Sequence, residues 1–199
     1  MGGQSRSKLW SRCGFWLLAH RKYRWIFSDA WIWDGRRAEI RVVSQQPVPG
    51  NISKPLEDLS AARSSPDRAQ VGSYKSSLSS GVNVQLTATS HAATSNYAFP
   101  GSSQSTVVVD VSHILTSVGR PQWSQHYVSG NMTVLPDNNY QGSGTYNNGW
   151  NLAPDWTVYF CSKIDAPTTA LTFAGNGTTL SRYSSEIAVS GKERIGAVF

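Results

Sequence analysis

Gly142 to Lys163 reads GSGTYNNGWNLAPDWTVYFCSK, a turn-rich loop that empties into one strong strand. In Trp156-Thr157-Val158-Tyr159-Phe160-Cys161, Thr, Tyr and Cys alternate with Trp, Val and Phe. Period-two alternation of β-branched and aromatic residues fits a pleated, at least half-buried ribbon and not a helix. Gly142, Gly144, Asn147, Asn148, Gly149 and Pro154 precede it, and such residues turn a chain back on itself. An aromatic loop feeding a buried strand predicts a β-sandwich with recognition at one end.

Outward from this stretch the same grammar repeats. Val82, Val84, Leu86 and Ala88 alternate with Asn83, Gln85, Thr87 and Thr89, the pattern of an antiparallel strand with one solvated face. With Val71 to Lys75 it forms a pair around Ser79-Ser80-Gly81. Ser95 to Phe99 is a third strand, ended by Pro100-Gly101. Ser105 to Leu115 (STVVVDVSHIL) is apolar without alternation through its valines, which predicts burial on both faces. Tyr127 to Leu135, a turn at Pro136 to Asn139, and Tyr140 to Tyr146 follow. Ala170 to Phe173, Ile187 to Val189 and Ile195 to Phe199 complete the set. Short strands at regular spacing with Gly, Asn and Pro turns predict an all-β fold, an antiparallel sandwich. Val42 to Gln70 reads as an extended loop, with a short run at Leu56 to Ala62 long enough for one helical turn.

Composition divides the chain. Of 18 Lys and Arg and 12 Asp and Glu, nine basic and three acidic residues fall within 1–42, so the whole excess of +6 lies there. Residues 43–199 are balanced, which argues against nucleic acid as a partner, since phosphate backbones are bound by basic surfaces. Five of the eight Trp (Trp10, Trp16, Trp25, Trp31, Trp33) share the basic segment. Its short apolar run, Gly14 to Ala19, is flanked by Arg12 and His20-Arg21-Lys22 and lacks the core of a signal peptide. No run is long enough for a transmembrane helix, so no membrane partner is expected. The segment reads as a poorly ordered tail. Cys13 and Cys161 are the only cysteines; a disulfide between them is conceivable, but a buried free thiol at Cys161 is the stronger expectation.

Candidate chemistry is sparse. His20, His91, His113 and His126 stand alone, without metal-site spacings. Asp110, Ser112 and His113 hold triad residue types, but neighbours on one strand point to opposite faces, so Ser112 and His113 are not expected to meet. His113 reads as a strand cap. Asp110, Asp137, Asp155 and Asp165 sit at strand ends or turns and give no acid–base pair. No catalytic residue and no metal ligand is assigned. Tyr146, Asn147 and Trp150 combine flat apolar faces with amides and are candidate carbohydrate contacts. The alternative is that Trp150 covers the end of the core. Asn51, Asn131 and Asn176 head N-x-[ST] tripeptides and are candidate N-glycosylation sites.

Six blocks carry a family resemblance, in order: NISKPLEDLS, PDRAQVGSYKSSLSSGVNVQLTATSHA, YAFP, VVVDVSHIL, GSGTYNNGWNLAPDWTVYFC and RIGAVF. Together they resemble the N-terminal domain of fungal family-92 glycoside hydrolases, exo-acting α-mannosidases, over 42–199. The resemblance implies a β-sandwich packed on a larger (α/α) barrel. It implies inverting, calcium-dependent hydrolysis of mannosides, with the catalytic carboxylates and most of the calcium site on the barrel. The barrel has no counterpart in this sequence, so no cofactor is expected on this chain. The resemblance also implies mannose-containing glycans as partners, with loops of this domain walling the cleft. The chain stops inside an apolar run, which reads as truncation before the barrel.

Residues 1–41 depart from the pattern, for the family carries there a segment resembling GFSxMHDSGTGGxPKYG. Allowed codons for Trp25 to Arg41 can be re-read one nucleotide out of register as GFS, one free residue, then MHGFGTGGAPKYG. A frame shift or mis-predicted exon is therefore the expected origin of this segment. The leading expectation is a mannosidase-type domain inactive alone; the alternative is a stand-alone carbohydrate-binding module. The sequence leaves localisation open.

Overall fold

The computed structural model describes residues 16–17, 43–88, 92–101, 104–114, 121–148, 152–166, 168–175, 180–182, 187–190 and 193–199. The described residues form fourteen strands, in chain order beginning with β1 (Trp16–Leu17), β2 (Ser44–Pro49), β3 (Arg68–Gln70) and β4 (Ser73–Ser77). Next come β5 (Asn83–Ala88), β6 (Ala93–Ala98), β7 (Ser105–Asp110), β8 (His126–Leu135) and β9 (Asn139–Asn147). The last five are β10 (Trp156–Lys163), β11 (Leu171–Gly175), β12 (Leu180–Arg182), β13 (Ile187–Ser190) and β14 (Arg194–Val198). Among the described residues the only helical turns are the 3₁₀ segments Pro121–Trp123 and Pro136–Asn138. None is long and apolar enough to cross a membrane.

The described strands form three antiparallel sheets. The first has strand order β1-β10-β9-β8-β13 and the second β12-β11-β14-β7-β2. The two pack face to face, because one core draws on both. Val107, Val109, Val111, Ile195, Ala197 and Phe199 come from the β7–β14 side. Tyr127, Met132, Val134, Tyr140, Tyr146 and Phe160 come from the β8–β10 side. This is the predicted all-β antiparallel sandwich. A third sheet, β3-β4-β5-β6, stands beside it.

The uninterrupted valines of β7 are explained by its two covered faces. Val107 and Val109 enter the central core, while Val108 joins Phe173 and Val198 beneath Ile52, Leu56 and Leu59. The Leu56 to Ala62 run forms no helical turn; its leucines are that lid. On β10 the predicted alternation holds, with Val158 and Phe160 buried and Tyr159 51% exposed.

Three further expectations change. Residues 44–49 and 68–70, read as loop, form β2 and β3, with Pro47 and Pro49 of β2 paired opposite Val107 and Ser105. Proline is tolerated because β2 is the last strand of its sheet, where a missing N–H breaks no second ladder. Gly142 and Gly144, read as turn residues although they fall within the strand expected over Tyr140 to Tyr146, lie inside β9, opposite Phe160 and Val158 on β10. A Cβ on Gly142 would meet the Asn131 carbonyl and the Phe160 ring, and one on Gly144 would meet the Tyr146 ring. Here glycine makes room for aromatic rings. Third, Cys161 is disulfide-bonded and half-buried rather than a buried free thiol. It lies on the outward face of β10 with Tyr159, not among the apolar side chains that would bury a thiol. Cys13 lies outside the described residues. Of the predicted tail, only β1 is described, pairing with Val158 and Tyr159 of β10.

Candidate functional site

The predicted recognition loop runs from the end of β9 to the start of β10, and the structure divides its candidates. Tyr146 is fully buried. Its ring lies 5.0 Å from Trp156 and 5.8 Å, edge to face, from Tyr127. Its hydroxyl donates to the Val111 carbonyl at 2.5 Å, tying the first sheet to the end of β7. Burial, then the neighbouring Tyr127 and Asp110, raises its pKa well above the ordinary phenol value. Tyr146 is thus a core side chain that offers no face to a ligand, because the inward side of β9 carries it. Trp150 lies outside the described residues.

Asn147 is at the surface, half-buried, where β9 ends. Its Nδ2 donates to Asp155 Oδ1 at 3.2 Å, and its Oδ1 lies 3.2 Å from His126 Nδ1. Asn148 adopts a left-handed backbone (φ 57°), which asparagine tolerates better than most residues. That turn brings its Nδ2 to 3.3 Å from the same His126 nitrogen. Trp156 Nε1 donates to the Asn148 carbonyl at 3.4 Å. Protonated, His126 Nδ1 donates to Asn147; unprotonated, it accepts from Asn148. The patch is thus a set of amides, one imidazole and one carboxylate that can rearrange its hydrogen bonds. It can bind polar groups, and it contains no activated nucleophile. His126 and Asp155 joined it through chain reversal, and no short motif marks them.

A larger concavity, about 470 Å³, opens between the β3–β6 sheet and the β2–β7 edge of the sandwich. Tyr97 donates to Gln45 Oε1 at 2.9 Å, and Gln45 Nε2 donates to the Tyr140 hydroxyl at 2.8 Å. Asp110, at its base, is buried. Oδ2 accepts from Arg194 Nη2 at 2.5 Å, and Oδ1 accepts from Ser112 Oγ at 2.6 Å and Ser112 N at 2.9 Å. The same Ser112 oxygen accepts from Ile195 N at 3.1 Å and Arg194 Nε at 3.0 Å. His113 Nδ1 is 4.0 Å from Asp110 Oδ2. This is a brace between β7 and β14: Ser112 gives its proton to a carboxylate, not to an imidazole. The triad types in the sequence therefore do not make a nucleophile. Sequence reading missed Arg194, Gln45 and Tyr97, whose partners lie 84, 95 and 52 residues away.

The remaining candidates are placed as follows. Asn51 is exposed just after β2, and Asn131 is half-buried within β8. Asn176 lies outside the described residues. Among the carboxylates, Asp155 is tied to Asn147 and Asp110 to Arg194 and Ser112. Among the described residues no three His, Cys, Asp or Glu side chains are grouped to hold a metal ion.

The family model of the glycosyl hydrolase family 92 N-terminal domain matches residues 34–199. No functionally curated protein matches the sequence. Among solved structures, the chain is similar to the family GH92 inverting mannosidase BT2199 from Bacteroides thetaiotaomicron VPI-5482. The identity is 20% and the TM-score 0.57, over 78% of this chain and 19% of that one. It is also similar to the GH92 α-mannosidase BT3965 from Bacteroides thetaiotaomicron, at 16% identity and TM-score 0.60, over 79% of this chain and 23% of that one. The GH92 family glycosyl hydrolase ccman5 gives 18% identity and TM-score 0.61, over 79% of this chain and 21% of its own. The chain spans about a fifth of the length of these enzymes. At these identities the likeness shows a shared sandwich fold.

Proposed function

This chain belongs to the family of glycosyl hydrolase family 92 N-terminal domains, and from that premise we propose that it serves an α-mannosidase-like hydrolase acting on mannose-containing glycans. The observation that carries this reading is the family match over 34–199, joined to a fold shared with mannosidases about four times as long. In this reading the chain is a supporting domain, inactive alone, and catalysis belongs to an (α/α) barrel that binds calcium. The internal chemistry agrees with a supporting role. Asp110 and Ser112, the most reactive-looking pair in the sequence, are spent on bracing β7 against β14. The test is hydrolysis of an α-linked aryl mannoside by the purified chain with calcium present. No turnover above the blank is expected, and robust turnover would overturn the reading.

A second reading, a stand-alone carbohydrate-binding module, is favoured by one observation. The exposed end of the β9–β10 hairpin collects Asn147, Asn148, His126 and Asp155 beside Trp156, and such amides suit sugar hydroxyls. Calorimetric titration with mannose oligosaccharides separates the two. Saturable binding that Asn147→Ala abolishes supports a module, and its absence supports the supporting-domain reading.

A further inference from the structure

The tripeptide Asn51-Ile52-Ser53 leaves β2 where the backbone is pinned and two side chains are free to face outward. Gly50, at φ 92°, donates its N–H to the Gln104 carbonyl at 2.6 Å, and its own carbonyl accepts from Thr106 Oγ1 at 2.6 Å. Ile52 turns inward and packs on the Val108, Phe173 and Val198 cluster. Asn51 and Ser53, on either side of that anchor, are exposed. An N-glycosyl acceptor needs this arrangement: an accessible carboxamide, and a hydroxyl two residues on that the transferring enzyme can reach.

Asn131 heads the same motif in a different setting. It sits within β8, paired with Ser143 on one side and Ala188 on the other. Its Oδ1 accepts from Ser143 N at 2.9 Å and lies 3.3 Å from Ser143 Oγ. The carboxamide is already part of the sheet's bonding, and a bulky substituent would stand over two neighbouring strands.

A separate observation bears on the compartment. Cys161 is disulfide-bonded, and disulfides persist in oxidising compartments such as the secretory pathway, where N-glycans are also added. We propose that Asn51 is an N-glycosylation site of this chain and that Asn131, despite its motif, is not. In the transfer, Asn51 Nδ2 attacks the anomeric carbon of an oligosaccharide carried on a lipid pyrophosphate. The new bond joins that carbon to Nδ2, the carbon–oxygen bond to pyrophosphate breaks, the amide gives up one proton, and the lipid pyrophosphate departs. The glycan would stand at the rim of the Ile52–Leu56–Leu59 lid, with no core side chain displaced.

The experiment directs the full chain into the secretory pathway of a yeast behind a cleavable leader. The folded fraction, taken by its resistance to limited proteolysis, is released from its glycans by a peptide N-glycosidase in heavy-oxygen water. Peptide mass mapping then marks each formerly occupied asparagine as heavy aspartate. The Asn51 peptide is expected to carry the mark and the Asn131 peptide to lack it. Asn51→Gln and Ser53→Ala, both surface changes, should each remove one glycan-dependent mobility step, and Asn131→Gln none. An unmarked Asn51, or an Asn131 marked to the same extent, would overturn the proposal. Translation in the presence of microsomes needs no recovery of folded chain, and an unmodified Asn51 there would overturn it equally.

Discussion

Two buried phenols on neighbouring strands should respond in opposite ways to loss of one oxygen. Tyr146 and Tyr127 lie opposite each other on β9 and β8, with ring centres 5.8 Å apart. The Tyr146 hydroxyl is the donor to the buried Val111 carbonyl. Tyr146→Phe leaves that carbonyl desolvated and unpaired, a cost of about 1–3 kcal/mol. The Tyr127 hydroxyl is buried with no hydrogen-bond partner. Tyr127→Phe removes a polar atom that already carries the desolvation cost, so stability should hold or rise by up to about 1 kcal/mol. For a chain of this size each kcal/mol moves the melting temperature by roughly 2–4 °C. Urea unfolding followed by tryptophan fluorescence, with calorimetry as a second probe, reads both variants. Equal losses in the two, or no loss in Tyr146→Phe, would refute the reasoning. The pair also predicts an alkaline limb. Burial raises both phenol pKa values, so above about pH 10 the unfolded chain releases protons that the folded chain keeps. Stability is therefore complete below that pH and falls as pH climbs past it, less steeply in Tyr127→Phe.

Gly196→Ala places a Cβ against the Val109 carbonyl and the Phe173 ring, in a strand paired on both sides. It should cost about 1–3 kcal/mol in the same urea assay. Asp110→Asn removes the charge that Arg194 faces and weakens the Ser112 bonds. Arg194 is partly solvated, so a loss of about 2 kcal/mol is expected, below that of a fully buried pair; addition of Arg194→Met should recover part of it. Cys161 should resist a thiol reagent in denaturant until a reductant is added, and prompt labelling of the unreduced chain would contradict its bonded state.

Legibility in the sequence followed the range of the interaction. Alternation at Trp156 to Cys161 and its absence at Val107 to Val109 told which faces are covered, because two-residue periodicity is a local consequence of the pleat. The sandwich followed from such segments. Three features resisted for a physical reason. Pro47 and Pro49 argue against a strand unless it is known to be an edge, and edge position is a property of the assembled sheet. Gly142 looks like a turn until Phe160 is known to lie over it. Tyr146 looked like a sugar platform because its neighbours are asparagines, and only strand phase distinguishes the inward tyrosine from the outward Asn147. The Asp110–Arg194 brace spans 84 residues and leaves no local mark. The family resemblance of the six blocks gave the right family and fold, whereas residue roles needed the geometry.

The place of β14 carries a consequence for how the chain is made. The second sheet runs β12-β11-β14-β7-β2, so its latest strand in sequence is inserted between two earlier ones. During synthesis β7 emerges about 90 residues before β14, an interval of roughly 4–18 s at ribosomal speed. Throughout it β7 has only β2 as a partner, and its valine-rich edge is open along the side that Ala197 and Val198 will occupy. An apolar edge held open for seconds invites pairing with another nascent chain. Chaperone demand and inclusion-body formation should therefore depend on the elongation rate over residues 110–194, and a slower ribosome there lengthens the exposed interval.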